Sequence, residues 1–242
     1  MSAPGQPVVI LGGFMSSYQV YSGLCARLSR LSKGPVHLVA TRSYQWVMVA
    51  APPGWVYLLG KLDRAVHEAV KVSATGKVTL VGHSLGGVLA RLYLSRQPFL
   101  GQAYCGLDRV GHLITLGSPH YNQRRWLHGG MMSRWLESRY PGAFFAPGVK
   151  YTAVAGSSLR GDPSGSLWER HAYHFYRQLT GGGEEWGDGL VPVSSALLVG
   201  ADPIVLDGVG HFAGFGASWY GSEQVLAAWW QAAHANDAQP HK

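Results

Sequence analysis

Six short aliphatic runs, separated by longer amphipathic stretches, decide what this sequence can fold into. Val8–Leu11, Val36–Ala40, Val78–Val81, Leu113–Leu116, Tyr151–Ala155 and Ile204–Leu206 are rich in Val, Ile and Leu without strict polar alternation. Strands of that composition are buried on both faces, as in a parallel sheet covered by helices. Helical patterns run over Ser17–Leu31, Trp55–Ser73, Leu85–Ser95 and Glu223–His234. Strand followed by helix, repeated, predicts an α/β fold: a doubly wound, mainly parallel sheet of about six strands with helices on both faces. Neither an internal repeat nor a Gly/Ser linker divides the 242 residues, so a single domain over 1–242 is expected. His120–Ala146 departs from the alternation. It sets Trp126, Met131, Met132, Trp135, Phe144 and Phe145 among arginines, with Gly129-Gly130 interrupting. It reads as a small cap or lid at 120–146 over the carboxyl ends of the strands, or as a crossover helix packed on the core.

Hydrophobic residues make up 47% and charged residues 14%, which excludes a disordered chain. MSAPGQP lacks the basic start of a secretory signal. The uncharged stretch Ser43–Gly60 is broken by Pro52-Pro53-Gly54 into pieces too short to cross a bilayer. A soluble, cytoplasmic protein is the expectation. Cys25 and Cys105 have no framework or metal spacing and read as free thiols. The net charge of +7 is concentrated between residues 120 and 180. With Trp126 and Trp135 nearby, that region gives an expectation of peripheral contact with anionic lipid surfaces. Zinc-finger and RNA-binding signatures are lacking, so no nucleic-acid partner is expected.

In "VTLVGHSLGGVLARLYL", residues 78–94, Ser84 stands between Gly82 and Gly86 where a strand pattern gives way to a helix pattern. That context is the one a G-x-S-x-G nucleophile elbow requires. The glycines let neighbouring elements approach a tight turn. The turn lifts the serine above the sheet edge at the amino end of a helix, where N–H groups and the helix dipole face developing negative charge.

A serine hydroxyl is a weak nucleophile near neutrality, so it needs a base, and the base an orienting carboxylate. The base belongs in the loop after the last strand, and His211 in "DPIVLDGVGHFA" stands there. The acid belongs after the penultimate strand, where Asp162 in "LRGDPSG" and Asp188 in "EEWGDGLVPVSSA" compete. Asp-Pro-Ser-Gly has its own explanation as a turn. Asp188, between glycines and before Leu190-Val191-Pro192, is the one expected to be tucked inward and is favoured. Two backbone donors complete the machinery: Leu85 N–H after the nucleophile, and an N–H in the loop after the first strand. Gly12-Gly13 lets the chain turn closely there, which points to Phe14, with Met15 as the fallback.

"VVILGGF", "LVGHSLGG", "LITLGSPH", "GDGLVPVSSA" and "GVGHF" occur in this order across Val8–Phe212. In these motifs the chain resembles the lipase-like α/β-hydrolases, the group that includes triacylglycerol lipases, lecithin–cholesterol acyltransferases and GPI-inositol deacylases. The resemblance implies the α/β-hydrolase fold, Ser84 as nucleophile, Asp188 as acid, His211 as base, and neither a metal nor an organic cofactor in the reaction. It departs from the family at Gly12, where a histidine commonly supports the oxyanion loop.

The function expected is hydrolysis of carboxylic esters, small-molecule or lipid, through an acyl-enzyme. The tryptophans and the uncharged Tyr44–Gly60 suggest an apolar acyl pocket, since burial of alkyl chain is worth about 25 cal/mol per Å². An acyltransferase or thioesterase would use the same three residues. A non-catalytic binding protein on this fold would be marked by loss of one of them, and none is missing. The oligomeric state is not legible.

Overall fold

The computed structural model describes residues 5–14, 16–123, 130–146 and 148–235. The strands are β1 (Val8–Leu11), β2 (Val36–Leu38), β3 (Val78–His83), β4 (Val110–Leu116), β5 (Lys150–Ser157), β6 (Leu159–Arg160), β7 (Trp186–Gly187), β8 (Asp202–Asp207), β9 (Val209–Gly210) and β10 (Ser218–Trp219). The helices are α1 (Ser22–Ser32), α2 (Ser43–Val47), α3 (Pro52–Val70), α4 (Leu85–Tyr93), α5 (Gly130–Arg139), α6 (Leu167–Thr180), α7 (Val193–Ala196) and α8 (Glu223–His234).

All four residues of β1 are buried, and their side chains divide between the faces. Val8 and Ile10 join one apolar cluster with Leu24, Leu28, Leu226 and Trp229 of α1 and α8. Val9 and Leu11 join the other, with Leu58 and Leu62 of α3, Val88 and Leu89 of α4, and Met132 and Leu136 of α5. Successive strand side chains point to opposite faces, so a strand covered above and below is mostly apolar, and a polar residue in it needs a partner inside the sheet. The expected doubly wound α/β arrangement follows: a six-stranded sheet in the order β2-β1-β3-β4-β5-β8, every pair parallel. The chain runs from β1 outward to β2, then crosses back to β3 on the other side of β1. Loops at the carboxyl ends of β1 and β3 diverge at that reversal, which is where open α/β sheets form their crevice.

Several boundaries differ from the sequence expectation for physical reasons. β4 begins at Val110 and not Leu113, because buried His112 places Nε2 2.9 Å from Thr152 Oγ1 and so fits inside the sheet. α6 is an addition to the four helical patterns legible in the sequence. Its start is a capping box: Glu169 N–H donates to Ser166 Oγ, and Ser166 N–H donates to the Glu169 carboxylate. In the 120–146 segment, residues 124–129 lie outside the described residues, Trp126 and the glycine at 129 included. α5 packs against α4 with Met132, Ser133 and Leu136 fully buried. Trp135 meets Phe99 and Tyr140 edge to face, with the Arg139 guanidinium over its ring. Cys25 and Cys105 are unpaired. Among the described residues, no helix is long and apolar enough to cross a membrane.

Candidate active site

Ser84 joins β3 to α4 with φ 54° and ψ −130°, a backbone conformation that L-residues adopt only at a cost of order 1–3 kcal/mol. The surroundings enforce it. Ser84 N–H donates to Leu116 O at the end of β4 at 2.8 Å, while all nine residues of α4 are buried and fix where the helix begins. A side chain at position 86 would meet Gly12 O at 2.4 Å and Leu11 O at 2.5 Å, so only glycine lets α4 start against the β1 loop. Ser84 is half-buried. Among the described residues its hydroxyl makes no hydrogen bond, so it can turn toward a substrate or a base; such bonds are commonly loose without ligand.

The loop after β1 lies directly against it. A Cβ on Gly13 would sit 2.6 Å from Ser84 Cβ and 3.2 Å from its Oγ. Gly13 N–H is taken by Tyr21 Oη at 2.8 Å, and Gly13 O accepts from Ser16 Oγ. Phe14 follows at the pocket wall, its N–H without an acceptor among the described residues. The fallback donor, Met15, lies outside the described residues. Leu85 is the first residue of α4, where N–H groups have no partner within the helix.

His211 and Asp188 are both buried and are brought together from separate loops. His211 Nδ1–H donates to Asp188 Oδ2 at 2.7 Å, and His211 N–H donates to Asp188 O at 2.8 Å. The carboxylate is saturated with donors. Oδ1 accepts from the N–H groups of Leu190 and Val191, and Oδ2 accepts also from Tyr220 Oη–H at 2.8 Å. Tyr220 accepts in turn from Gly156 N–H. Burial and the neighbouring Asp188 hold the Tyr220 phenol well above its ordinary range, so it remains a donor. Asp162 lies apart, accepting Ser164 N–H in a local turn.

Ser84 and His211 line one cavity of about 280 Å³, walled by Phe14, Leu85, Pro119, Phe175, Leu179, Leu190, Val191 and Phe212. Apart from Ser84 and His211 the wall is apolar. The expectation that Tyr44–Gly60 supplies an acyl pocket is corrected here. Trp46 and Trp55 of that stretch are core residues, and the apolar wall comes from α6 and the loops near Asp188 and His211. Sequence reasoning missed Tyr21 and Tyr220, for which no local signal exists, and the α6 wall residues, which the capping box announces. Among the described residues no group of three or more His, Cys, Asp or Glu is placed to hold a metal ion.

A family model described as a PGAP1-like alpha/beta domain matches residues 61–134, the part that carries β3, Ser84, α4 and β4. Ethanol acetyltransferase 1 of Kluyveromyces lactis is 27% identical over 105 residues, 43% of this chain and 27% of that protein. The protein of the same name from Kluyveromyces marxianus is 31% identical over 103 residues, with the same coverage. The chain thus spans about a quarter of the length of these relatives. The mature form of a lipase from Bacillus licheniformis shares the fold with a TM-score of 0.63 at 17% identity, over 96% of this chain and 92% of that one. An α/β-hydrolase enzyme from a lagoon-sediment metagenome does so with a TM-score of 0.50 at 17% identity, over 94% and 91%. Sheet order and these likenesses agree on the α/β-hydrolase fold, and residues 61–134 are similar to the PGAP1-like alpha/beta domain.

Proposed function

We propose that this α/β-hydrolase cleaves carboxylic esters with an apolar acyl group, using Ser84, His211 and Asp188. The observation that most supports the reading is a strained serine and an Asp-bound histidine lining one otherwise apolar cavity. With Nδ1–H engaged by Asp188, the neutral imidazole presents Nε2 as the base. Ser84 Oγ attacks the ester carbonyl while Nε2 takes its proton. The oxygen that gains negative charge lies toward the N–H groups of Leu85 and Phe14, and Asp188 stabilises the imidazolium. The tetrahedral intermediate collapses, the imidazolium gives its proton to the departing alkoxide, and an acyl-Ser84 ester remains. Water then adds to that ester, giving its proton to His211, and the acid leaves as Ser84 recovers its hydrogen.

A second reading, transfer of the acyl group to an alcohol, is favoured by the name of the two Kluyveromyces relatives and by the apolar wall. It uses the same acyl-enzyme with an alcohol in place of water. The test is turnover of p-nitrophenyl esters from acetate to palmitate by wild type and Ser84→Ala, without and with added ethanol. Hydrolysis that disappears in the variant supports the first reading, and ethyl ester as the main product supports the second. A folded wild type with neither activity on any ester contradicts both.

A further inference from the structure

The oxyanion loop lacks the histidine that family resemblance leads one to expect at position 12, yet it is held by a different device. Gly13 N–H donates to Tyr21 Oη at 2.8 Å, and Tyr21 Oη lies 2.8 Å from His83 Nδ1. His83 Nε2 lies 3.1 Å from His211 O. The proton positions follow from chemistry. A carbonyl oxygen only accepts, so Nε2 carries the hydrogen; the neutral ring then accepts at Nδ1, and the Tyr21 hydroxyl must donate there. Burial beside His211 keeps the His83 ring neutral by pushing its pKa well below 6.5, and burial pushes the Tyr21 phenol up to about 12. The side chains of Tyr21 and His83 are buried, and the hydrogen bonds run one way in a single series. It begins one residue before Phe14, passes through the residue preceding Ser84, and ends on the backbone of His211.

We propose that Tyr21 and His83 are positioning residues that hold the oxyanion loop in register with the nucleophile and the base. The proposal rests on the ester-hydrolase reading for its kinetic consequence, though not for its structural one. Without the Tyr21 hydroxyl, Gly13 N–H and His83 Nδ1 are both left buried and unpaired, and the loop carrying Phe14 N–H is released. The transition state uses that N–H more than the bound ester does, so the loss falls on kcat.

The experiment compares wild type, Tyr21→Phe and Tyr93→Phe, the last deleting a buried hydroxyl bound to Asp63 away from the cavity. Steady-state kinetics on p-nitrophenyl butyrate and amide exchange at Gly13 by NMR are read on each. For Tyr21→Phe, kcat is expected to fall on the order of 10- to 100-fold with KM within about twofold. Gly13 exchange is expected to accelerate, while Tyr93→Phe leaves kcat and Gly13 exchange as in wild type. Equal kcat in folded Tyr21→Phe and wild type overturns the proposal, as does a KM increase that accounts for the whole loss. So does Gly13 exchange as slow as in wild type. If wild type itself turns over no ester, the hydrolase reading fails, and Gly13 exchange still decides the positioning role.

Discussion

A methyl group on Gly13 is the most direct probe of the proposed oxyanion loop, because the donors proposed there are backbone groups that no side-chain deletion removes. Gly13 is not in the left-handed region, so Gly13→Ala acts through space and not through backbone preference. The new Cβ would stand 2.6 Å from Ser84 Cβ, where ordinary contact begins at 3.4 Å, so one of the two must retreat by at least 0.8 Å. Ser84 cannot yield easily, since its N–H is tied to Leu116 and α4 is buried behind it. The loop therefore moves, carrying Phe14 N–H with it. A shift of that size separates a good hydrogen bond from none. Loss of one oxyanion donor costs about 3 kcal/mol in the transition state, on the order of 10²-fold in kcat. The assay is kcat on p-nitrophenyl butyrate, with thermal melting as the check on folding. A variant that melts near wild type and keeps kcat within about threefold would refute the placement of the donor.

Asp188→Asn should lower kcat on the order of 10⁴-fold by favouring the wrong His211 tautomer. Every site on the carboxylate faces a donor, so either amide orientation sets N–H against N–H or O–H; activity within tenfold of wild type would contradict this. Stability should decline as pH falls below 6.5. His83 and His120 are buried with pKa values held well below that figure by burial, aided by His211 and Arg91 respectively. The unfolded chain then binds protons that the native state refuses, which costs up to about 1.4 kcal/mol per histidine per pH unit. Urea midpoints at pH 5.0 and 7.5 test it, and equal midpoints would contradict it. Phe175→Ala should lengthen the preferred acyl chain by opening the cavity wall at α6, read as a shift in the kcat/KM profile from acetate to palmitate. An unmoved profile would remove Phe175 from the acyl site.

What the sequence made legible was local chemistry. VVIL and VTLV announce strands because burial on both faces favours an aliphatic run, with Thr79 the one polar residue in them, and GHSLGG announces a turn because a glycine at 86 allows the approach of β1. The sequence places the start of β4 too late because His112 looks polar and finds its partner only across the sheet, in Thr152. Ser166 and Glu169 mark the first turn of α6, but its apolar face is interrupted in sequence by Arg170, His171, His174 and Arg177, and its exposed residues include the apolar Leu167 and Trp168. Tyr21 and Tyr220 could not have been found in the same way. Their partners, 62 and 32 residues away, are set by sheet order and loop closure, and neither tyrosine stands in a motif.

The central claim is that Ser84 is an activated nucleophile, and covalent labelling with a fluorophosphonate followed by peptide mass mapping addresses it without assuming a substrate. The account predicts one adduct per chain, on the peptide containing Ser84, and none in Ser84→Ala. A folded wild type that stays unlabelled, or that carries the adduct on another residue, would contradict it.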